Sequence, residues 1–332
     1  MEQGNQTMVT FFIIKGISDI PELKAPLFLL VLLIYLFTIG GNITILLLVC
    51  LHHRLPTPMY FFLVNLSMID MCSTTVSLHK ILLIGLTGNH NISYLSCIAQ
   101  IYFFGRFVSD ELLLLTAMGY DRYVAICSPL RYTVIMNHRT CTLLASVCWA
   151  LGFVEIIPYA GLVTYFSCYR SNIVNHFFCD LVPVIKLSCS NTSALTLFII
   201  EGAVLMALVP FLLTVLSYIF IITTILRIRS SIGRRKAFYT CSSHLTVVIL
   251  LHTTLVFQYL RPISADSLEY MDSVDYTKLF SLFNTALLPI LNPLIYSFKN
   301  KDVKSAFKRQ LRYLEYFHAH TICKQKSDST FN

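Results

Sequence analysis

The sequence predicts an all-α membrane protein, a seven-transmembrane helix bundle, and three observations lead to this prediction. Of the 332 residues, 56% are hydrophobic and only 13% are charged, whereas soluble domains carry roughly a quarter charged residues. The mean hydropathy is +0.69. A chain that folds in water does not need such an excess of apolar residues. Seven long apolar segments follow one another along the chain. This composition excludes an ordinary soluble enzyme, a disordered chain and a nucleic-acid-binding protein.

Each apolar segment is long enough to form a membrane-spanning helix, which needs about 20 residues to cross a bilayer core of about 30 Å. Helices are favoured because in lipid only helices and closed barrels satisfy the backbone hydrogen bonds. The chain also lacks the alternating pattern that barrel strands show. The predicted spans, in order, are Pro26–Leu51, Met59–His79, Ile98–Tyr120, Cys141–Tyr169, Leu187–Leu226, Ala237–Leu260 and Leu279–Phe298.

Few charges interrupt these spans. The first, sixth and seventh carry none, and the second, fourth and fifth carry one carboxylate each, namely Asp70, Glu155 and Glu201. The third span carries Arg106, Asp110 and Glu111. A charge inside a membrane is costly and is therefore a functional candidate. Because Arg106 and Asp110 are spaced i, i+4 on one face of the helix, we expect them to pair with each other.

Lysine and arginine collect in one set of connections, which orients the bundle. Connections rich in these cations stay cytoplasmic, so we expect an extracellular tail of residues 1–25. Residues 26–298 then form the transmembrane domain and residues 299–332 a cytoplasmic segment, in which Lys301–Arg312 is an amphipathic helix on the inner leaflet. The net charge of +8 is largely a consequence of this topology. The cationic connections contain Arg54, then Arg122, Arg131 and Arg139, then Arg227, Arg229, Arg234, Arg235 and Lys236.

Two features of the expected outer face concern covalent chemistry. Asn5-Gln6-Thr7 in the polar tail matches a glycan acceptor sequence, and Asn5 is the predicted glycosylation site. Asn91 and Asn191 match the same sequence but lie close to helix ends, so glycosylation there stays open. The cysteines of the outer connections lie in an oxidising compartment; they are Cys97, Cys168, Cys179 and Cys189. Four cysteines allow three disulfide pairings, and spacing alone leaves all of them open.

Five segments of the chain carry distinctive motifs. They are Pro58–Leu63 with Leu66, Ser67 and Asp70; Met118–Cys127 with Pro129 and Leu130; Ser217 and Tyr218; Lys236–Leu245; and Pro289–Ser297. Through these segments, the chain from about residue 5 to residue 310 resembles the vertebrate odorant (olfactory) receptors, which are rhodopsin-like G-protein-coupled receptors. Gly105 and the stretch Leu251–Thr253 depart from the family pattern.

The resemblance implies a plasma-membrane receptor, not an enzyme, that binds a small, mostly apolar volatile within the helix bundle. It also implies activation of a heterotrimeric stimulatory G protein, which raises cAMP. The alternative is a rhodopsin-like receptor for a non-odorant small ligand in another tissue. The same resemblance implies the disulfides Cys97–Cys179 and Cys168–Cys189.

The ligand pocket is expected between the outer halves of the third, fifth, sixth and seventh spans. The inward positions there are largely apolar, with a few hydroxyls and one imidazole, which suits an apolar molecule with one polar handle. They are Phe104, Gly105, Val108, Ser109, Gly202, Met206, His252, Leu255, Val256, Tyr259, Leu282 and Thr285. His252 stands out because an internal imidazole needs a hydrogen-bond partner.

By resemblance, a switch for the G protein lies at the inner end of the bundle. Arg122 is expected to contact the G protein after activation. Asn292 and Pro293 are expected to form a hinge, since a proline within a helix removes a backbone hydrogen bond. The full set is Asp121, Arg122, Tyr123, Tyr218, Lys236, Asn292, Pro293 and Tyr296.

Asp70 and Glu111 are expected to face each other inside the membrane. Two carboxylates in a dry site cannot both ionise unaided, so either one of them stays protonated or a cation lies between them. The resemblance implies a sodium site, with Asn292 and either Ser67 or Ser297 as further oxygen ligands, and oxygen ligands suit a hard cation. No other cofactor is expected.

Overall fold

The predicted bundle of helices is confirmed by a computed structural model, which describes residues 9–18, 20–51, 57–164, 166, 168–189, 193–260 and 276–298. The long helices are α1 (Pro21–Leu51), α2 (Pro58–Thr87), α3 (Tyr94–Cys127), α4 (His138–Thr164), α5 (Ser193–Leu226), α6 (Ser231–Leu255) and α7 (residues 276–298). A turn at Ile156 interrupts α4. The π-helical segment Val256–Leu260 extends α6, and another, Phe283–Leu287, lies within α7.

Six of these helices, within the described ranges, are long and apolar enough to cross a membrane. The seventh, α3, has 34 residues but is less apolar because it carries Arg106, Asp110 and Glu111. It packs against α2, α4, α5 and α6, and its three acidic residues, Asp110, Glu111 and Asp121, are buried. The charges of α3 are thus directed mainly into protein, which is how a central helix of the bundle can carry them.

Two predicted spans extend beyond the outer ends of their helices. The fourth span was expected to reach Tyr169, but α4 ends at Thr164, and Tyr169 forms a β-bridge with Ser188. The fifth span was expected to begin at Leu187, but α5 begins at Ser193. The connection is apolar because it folds back onto the bundle, where its short helix Leu181–Lys186 has five buried residues, Leu181, Val182, Pro183, Val184 and Ile185.

Three short strands cover part of the outer end, and none of them was expected from the sequence. The central strand β1 (Phe11–Ile14) pairs antiparallel with β2 (Asn91–Ser93) and parallel with β3 (Ile173–Val174). Phe12 and Ile14 of β1 are fully buried. Strand β1 is therefore held at the outer end by both backbone pairing and apolar burial.

Two disulfides brace the same region. Cys97, near the start of α3, is bonded to Cys179 with a Cα–Cα distance of 5.4 Å, and Cys168 is bonded to Cys189 with a Cα–Cα distance of 5.5 Å. These are the pairs that the family resemblance implied. The first anchors the connection between α4 and α5 to α3, and the second closes that connection on itself.

Some predictions concern residues outside the described ranges. They are the glycan on Asn5, the amphipathic helix Lys301–Arg312, the cytoplasmic segment 299–332 and the side chains of Tyr296 and Ser297. The domain limits at residues 25 and 298 also remain predictions.

Candidate functional site

A cavity of about 530 Å³ lies in the outer half of the bundle, between α3, α4, α5 and α6 and beneath the connection that precedes α5. Its wall is largely apolar, as expected for a site that takes a small apolar molecule. The positions proposed from the sequence that line it are Phe104, Gly105, Val108, Ser109, Met206, His252, Leu255, Val256 and Tyr259.

Three of the proposed positions do not line this cavity, namely Gly202, Leu282 and Thr285. A Cβ atom added to Gly202 would lie 1.5 Å from Oη of Tyr159, so this glycine makes room for the tyrosine. The Thr285 carbonyl accepts a hydrogen bond of 3.1 Å from the Thr74 hydroxyl, and Leu282 packs against the main apolar cluster. The cavity therefore lies towards α4 and away from α7, because α7 packs directly on α2.

The contribution of α4 to the cavity was not expected from the sequence. Ile156 and Tyr159 line the cavity, although the pocket was expected between other helices. A Cβ atom on Gly105 would lie 2.5 Å from Cδ1 of Ile156. The absence of a side chain at Gly105 lets α4 approach α3 this closely. In the sequence, the departure of Gly105 from the family pattern was the sign that α4 could contribute to the cavity.

The connection between α4 and α5 supplies a carboxylate to the cavity wall. Asp180 follows Cys179 and is buried. It accepts hydrogen bonds from the Leu181 amide (2.7 Å), Gln258 Nε2 (3.1 Å) and Tyr259 Oη (3.3 Å). Burial raises the pKa of the Asp180 carboxyl above its ordinary value, while these three hydrogen bonds oppose that rise. The disulfide to Cys97 is the constraint that brings this residue to the cavity.

Two further polar side chains of the wall, Ser109 and His252, form hydrogen bonds within the protein. The Ser109 hydroxyl donates a short hydrogen bond to Glu155 on α4. Nδ1 of His252 lies 2.8 Å from the Val248 carbonyl oxygen, one turn earlier in α6. Both side chains are thus fixed in orientation before any ligand binds.

The predicted acidic pair lies below the cavity. Nδ2 of Asn292 lies 3.1 Å from each carboxylate oxygen of Asp70 and 3.4 Å from Oε1 of Glu111. All three residues are buried. Oδ1 of Asn292 and Oγ of Ser67 are buried without a hydrogen-bond partner among the described residues. Two carboxylates with unpaired neutral oxygens form a donor set that fits a hard cation such as sodium.

The predicted pairing of Arg106 with Asp110 is confirmed, with Nε of Arg106 lying 3.6 Å from Oδ2 of Asp110. The guanidinium also lies over the Trp149 ring of α4, 5.2 Å from its centroid. A Cβ atom on Gly152 would lie 2.0 Å from Oδ1 of Asp110. Glycine at this position therefore lets α4 pack directly against the buried ion pair.

At the inner end, hydrogen bonds tie the proposed switch residues to neighbouring helices. Tyr132 donates to Oδ1 of Asp121 at 2.8 Å, and Arg122 contacts the sulfur of Met59 on α2. Lys236 is exposed near the start of α6.

A second inner contact joins three helices. Oη of Tyr218 on α5 lies 2.9 Å from both the Cys241 carbonyl oxygen and Nδ1 of His244 on α6. Nε2 of His244 lies 3.0 Å from the Leu115 carbonyl oxygen of α3. The buried imidazole thus bridges α3, α5 and α6, a role that sequence reasoning did not assign to it.

The chain is similar to one known family along nearly its whole length. A family model described as olfactory receptor matches residues 31–313. Olfactory receptor 8D1 of Homo sapiens is 45% identical over 313 residues, which cover 94% of this chain and 99% of that protein. Olfactory receptor 8G50 of Mus musculus is 44% identical over 309 residues, covering 93% of this chain and 97% of that protein. Olfactory receptor 5G3 of Homo sapiens is 42% identical over 313 residues, with 94% and 97% covered.

Proposed function

The chain belongs to the olfactory receptor family, and we propose that it binds a small, mostly apolar volatile in the cavity between α3, α4, α5 and α6. As a member of this family it is a G-protein-coupled receptor of the plasma membrane and not an enzyme. We further propose that it signals through a stimulatory G protein and raises cAMP.

The observation that carries the ligand proposal is the cavity itself. Its volume of about 530 Å³ lies within the range of small-molecule sites, and such sites are typically apolar with a few convergent polar groups. Here Ser109, Asp180, His252 and Tyr259 supply those groups. A ligand that prefers the active arrangement of the helices by about 1.4 kcal/mol shifts the population tenfold. Modest contacts in this cavity can therefore supply a shift of this size.

We infer the route from the cavity to the G protein from the inner contacts. His252, in the cavity wall, and His244, in the bridge to α3 and α5, lie on the same helix α6. An outward movement of the inner end of α6 would break the hydrogen bonds of His244 and open the surface beside Arg122. We propose that this movement admits the G protein.

Two variants separate ligand binding from coupling. Val108→Trp fills the cavity, so it should raise the half-maximal concentration of every agonist by roughly tenfold or more. Arg122→Ala should leave agonist-induced stabilisation of the purified receptor intact but abolish the cAMP response. The measurement is a panel of volatile alcohols, carbonyls, esters and terpenes with a cAMP readout, at matched surface expression.

Leu205→Trp is the matched control for the cavity variant. Leu205 lies on the face of α5 that is turned away from the bundle, is 62% exposed and does not line the cavity. Agonist potency unaffected by Val108→Trp would place the ligand elsewhere. A full response to an agonist through another G protein, with no change in cAMP, would refute the coupling proposal alone.

The buried acids suggest a second component of the proposal, a sodium site held by Asp70, Glu111, Ser67 and Asn292. A cation there would supply the positive charge that lets both carboxylates ionise in a dry site. Asn292 precedes Pro293, the proposed hinge, within α7. The occupancy of the site would thereby be linked to the conformation of α7.

Sodium should stabilise the parent receptor against thermal unfolding relative to choline at equal ionic strength, because an ion that binds only the folded state stabilises it. Glu111→Gln should remove this sodium effect while keeping the side-chain shape. Glu201→Gln is the control, since Glu201 is exposed on α5. An equal sodium response in the parent and in Glu111→Gln would favour a proton shared between the two carboxylates instead.

A further inference from the structure

We propose that small apolar ligands enter and leave the cavity from the membrane, through a lateral opening between the outer halves of α5 and α6. This inference rests on the proposed binding of a small volatile in the cavity and adds the route by which the volatile arrives. It follows from the exposure of the residues that line the cavity, which differs from one side of the wall to the other.

The wall is closed on the sides formed by α3, α4 and the connection before α5. In the described part of the chain, the lining residues of α4 and of the connection are all buried, namely Ile156, Tyr159, Asp180 and Leu181. The lining residues of α3 are also buried, apart from the half-buried Gly105. On these sides, packed protein separates a molecule in the cavity from its surroundings.

The side formed by α5 and α6 differs, because several of its lining residues also belong to the outer surface of the bundle. Leu208 of α5 is 45% exposed, and Ile249 and Val256, in α6 and its π-helical extension, are 50% and 46% exposed. Thr253 and Phe257 also line the cavity and are exposed. The stretch from Ile249 to Val256 extends about 10 Å along the helix axis. The cavity therefore reaches the lipid-facing surface of the bundle between α5 and α6.

Below this opening, α5 and α6 are in contact. The ring centroids of Phe211 and His252 lie 5.0 Å apart and mark the lower edge of the opening. Towards the inner face, Oη of Tyr218 on α5 lies 2.9 Å from the Cys241 carbonyl oxygen and from Nδ1 of His244 on α6. These contacts hold the inner halves of the two helices together, which confines the opening to the outer half of the membrane.

Entry from the aqueous outer side would require more of the structure to move. Hydrogen bonds join Asp180 of the connection to Gln258 and Tyr259 in the extension of α6. The disulfide between Cys97 and Cys179 fixes the same connection to α3. The lateral opening is bordered mainly by apolar side chains, and exposed side chains change rotamer on a time scale of picoseconds to nanoseconds. Lateral passage therefore needs no hydrogen bond or disulfide to break.

The lipid beside the opening is also where an apolar ligand accumulates. Transfer of apolar surface from water into an apolar environment is favourable, so a small apolar molecule is more concentrated in the hydrocarbon core than in water. A permanently charged molecule is kept out of that core by the cost of losing its hydration. The route therefore selects lipid-soluble molecules before they make any contact inside the cavity.

Modification of a cysteine placed in the cavity tests the route without a known agonist. Val108→Cys introduces a thiol on the α3 side of the cavity. The purified receptor in lipid nanodiscs is treated with uncharged methyl methanethiosulfonate or with the charged 2-(trimethylammonium)ethyl derivative. Peptide mass spectrometry follows modification at position 108 over time and distinguishes it from modification of the native cysteines. Relative to the reaction of each reagent with free cysteine, we expect the charged reagent to be at least about tenfold slower.

Two changes at one position alter the opening in opposite directions. On the Val108→Cys background, Leu208→Trp should narrow the opening and slow modification by the uncharged reagent about tenfold, whereas Leu208→Ala should widen it and accelerate the reaction. Leu205→Trp and Leu205→Ala are the matched controls and should keep the parent rate, because Leu205 is exposed on α5 but does not line the cavity. All variants carry the same cysteine, so its intrinsic reactivity cancels. If Leu208→Trp does not fold, the comparison of the two alanine variants decides.

Two results would overturn the lateral route. One is that the Leu208 variants react at the same rates as their Leu205 controls, and the other is that the charged reagent reacts as fast as the uncharged one. In both cases a small molecule still reaches the cavity, so the proposed function stands. If the uncharged reagent modified position 108 in none of the variants, the cavity would admit no small molecule. That result would reject the proposed function together with the route.

Discussion

Replacing Cys179 with serine should abolish delivery of the receptor to the cell surface. Cys179 and Cys97 are fully buried and joined across 82 residues of sequence. Their bond holds Phe178 against Phe104, with ring centroids 4.8 Å apart, and holds Asp180 at the cavity. Loss of a native disulfide costs roughly 2–5 kcal/mol, which is comparable with the whole stability margin of many folds.

The measurement is surface staining relative to total protein in cells. Cys50→Ser is the matched control, because Cys50 is an exposed, unpaired cysteine of α1, and it should reach the surface like the parent. Normal surface staining and agonist response in Cys179→Ser would show that the bond is dispensable.

Replacing Gly152 with alanine should destabilise the receptor by about 1–3 kcal/mol, the usual cost of overpacking a buried contact. The added methyl group would lie 2.0 Å from Oδ1 of Asp110 and 3.1 Å from its backbone nitrogen. The carboxylate cannot move away freely, because Asp110 is fully buried and paired with Arg106. Either α4 must separate from α3 or the ion pair must break.

Gly161→Ala provides the matched control on the same helix. No atom lies within 4 Å of a Cβ atom built at Gly161, and alanine favours helices over glycine by about 1 kcal/mol. This variant should unfold at the parent temperature or slightly above it, as measured on the purified receptor. Equal melting temperatures for the two variants would contradict the packing argument.

The sequence by itself determined the helix bundle, the expected orientation of the chain and the family. These follow from local properties, because the number of apolar residues needed to cross a bilayer does not depend on which helices become neighbours. The motif around Arg122 and the motif around Asn292 are likewise continuous stretches of chain. The pairing of Arg106 with Asp110 could also be predicted from local sequence, since one helical turn of α3 separates the two residues.

Part of the candidate site could also be predicted. Inward positions on α3 and α6, such as Val108 and His252, follow from the helical period once the family resemblance orients each helix. Gly202, Leu282 and Thr285 were expected at the pocket in the same way but do not line the cavity. Helical period tells which face of a helix is turned inward, but it cannot tell whether that face meets a cavity or another helix.

Only the tertiary structure decided what closes the outer end and which groups meet in the cavity. The strand β1, the buried connection before α5 and the position of Asp180 all depend on contacts between segments far apart in the chain. The approach of α4 to α3 depends on Gly105 and Gly152, whose effect is to leave space for Ile156 and Asp110. The physical reason is that lipid solvation acts on each segment independently, whereas close packing and hydrogen-bond direction are properties of groups brought together by the fold.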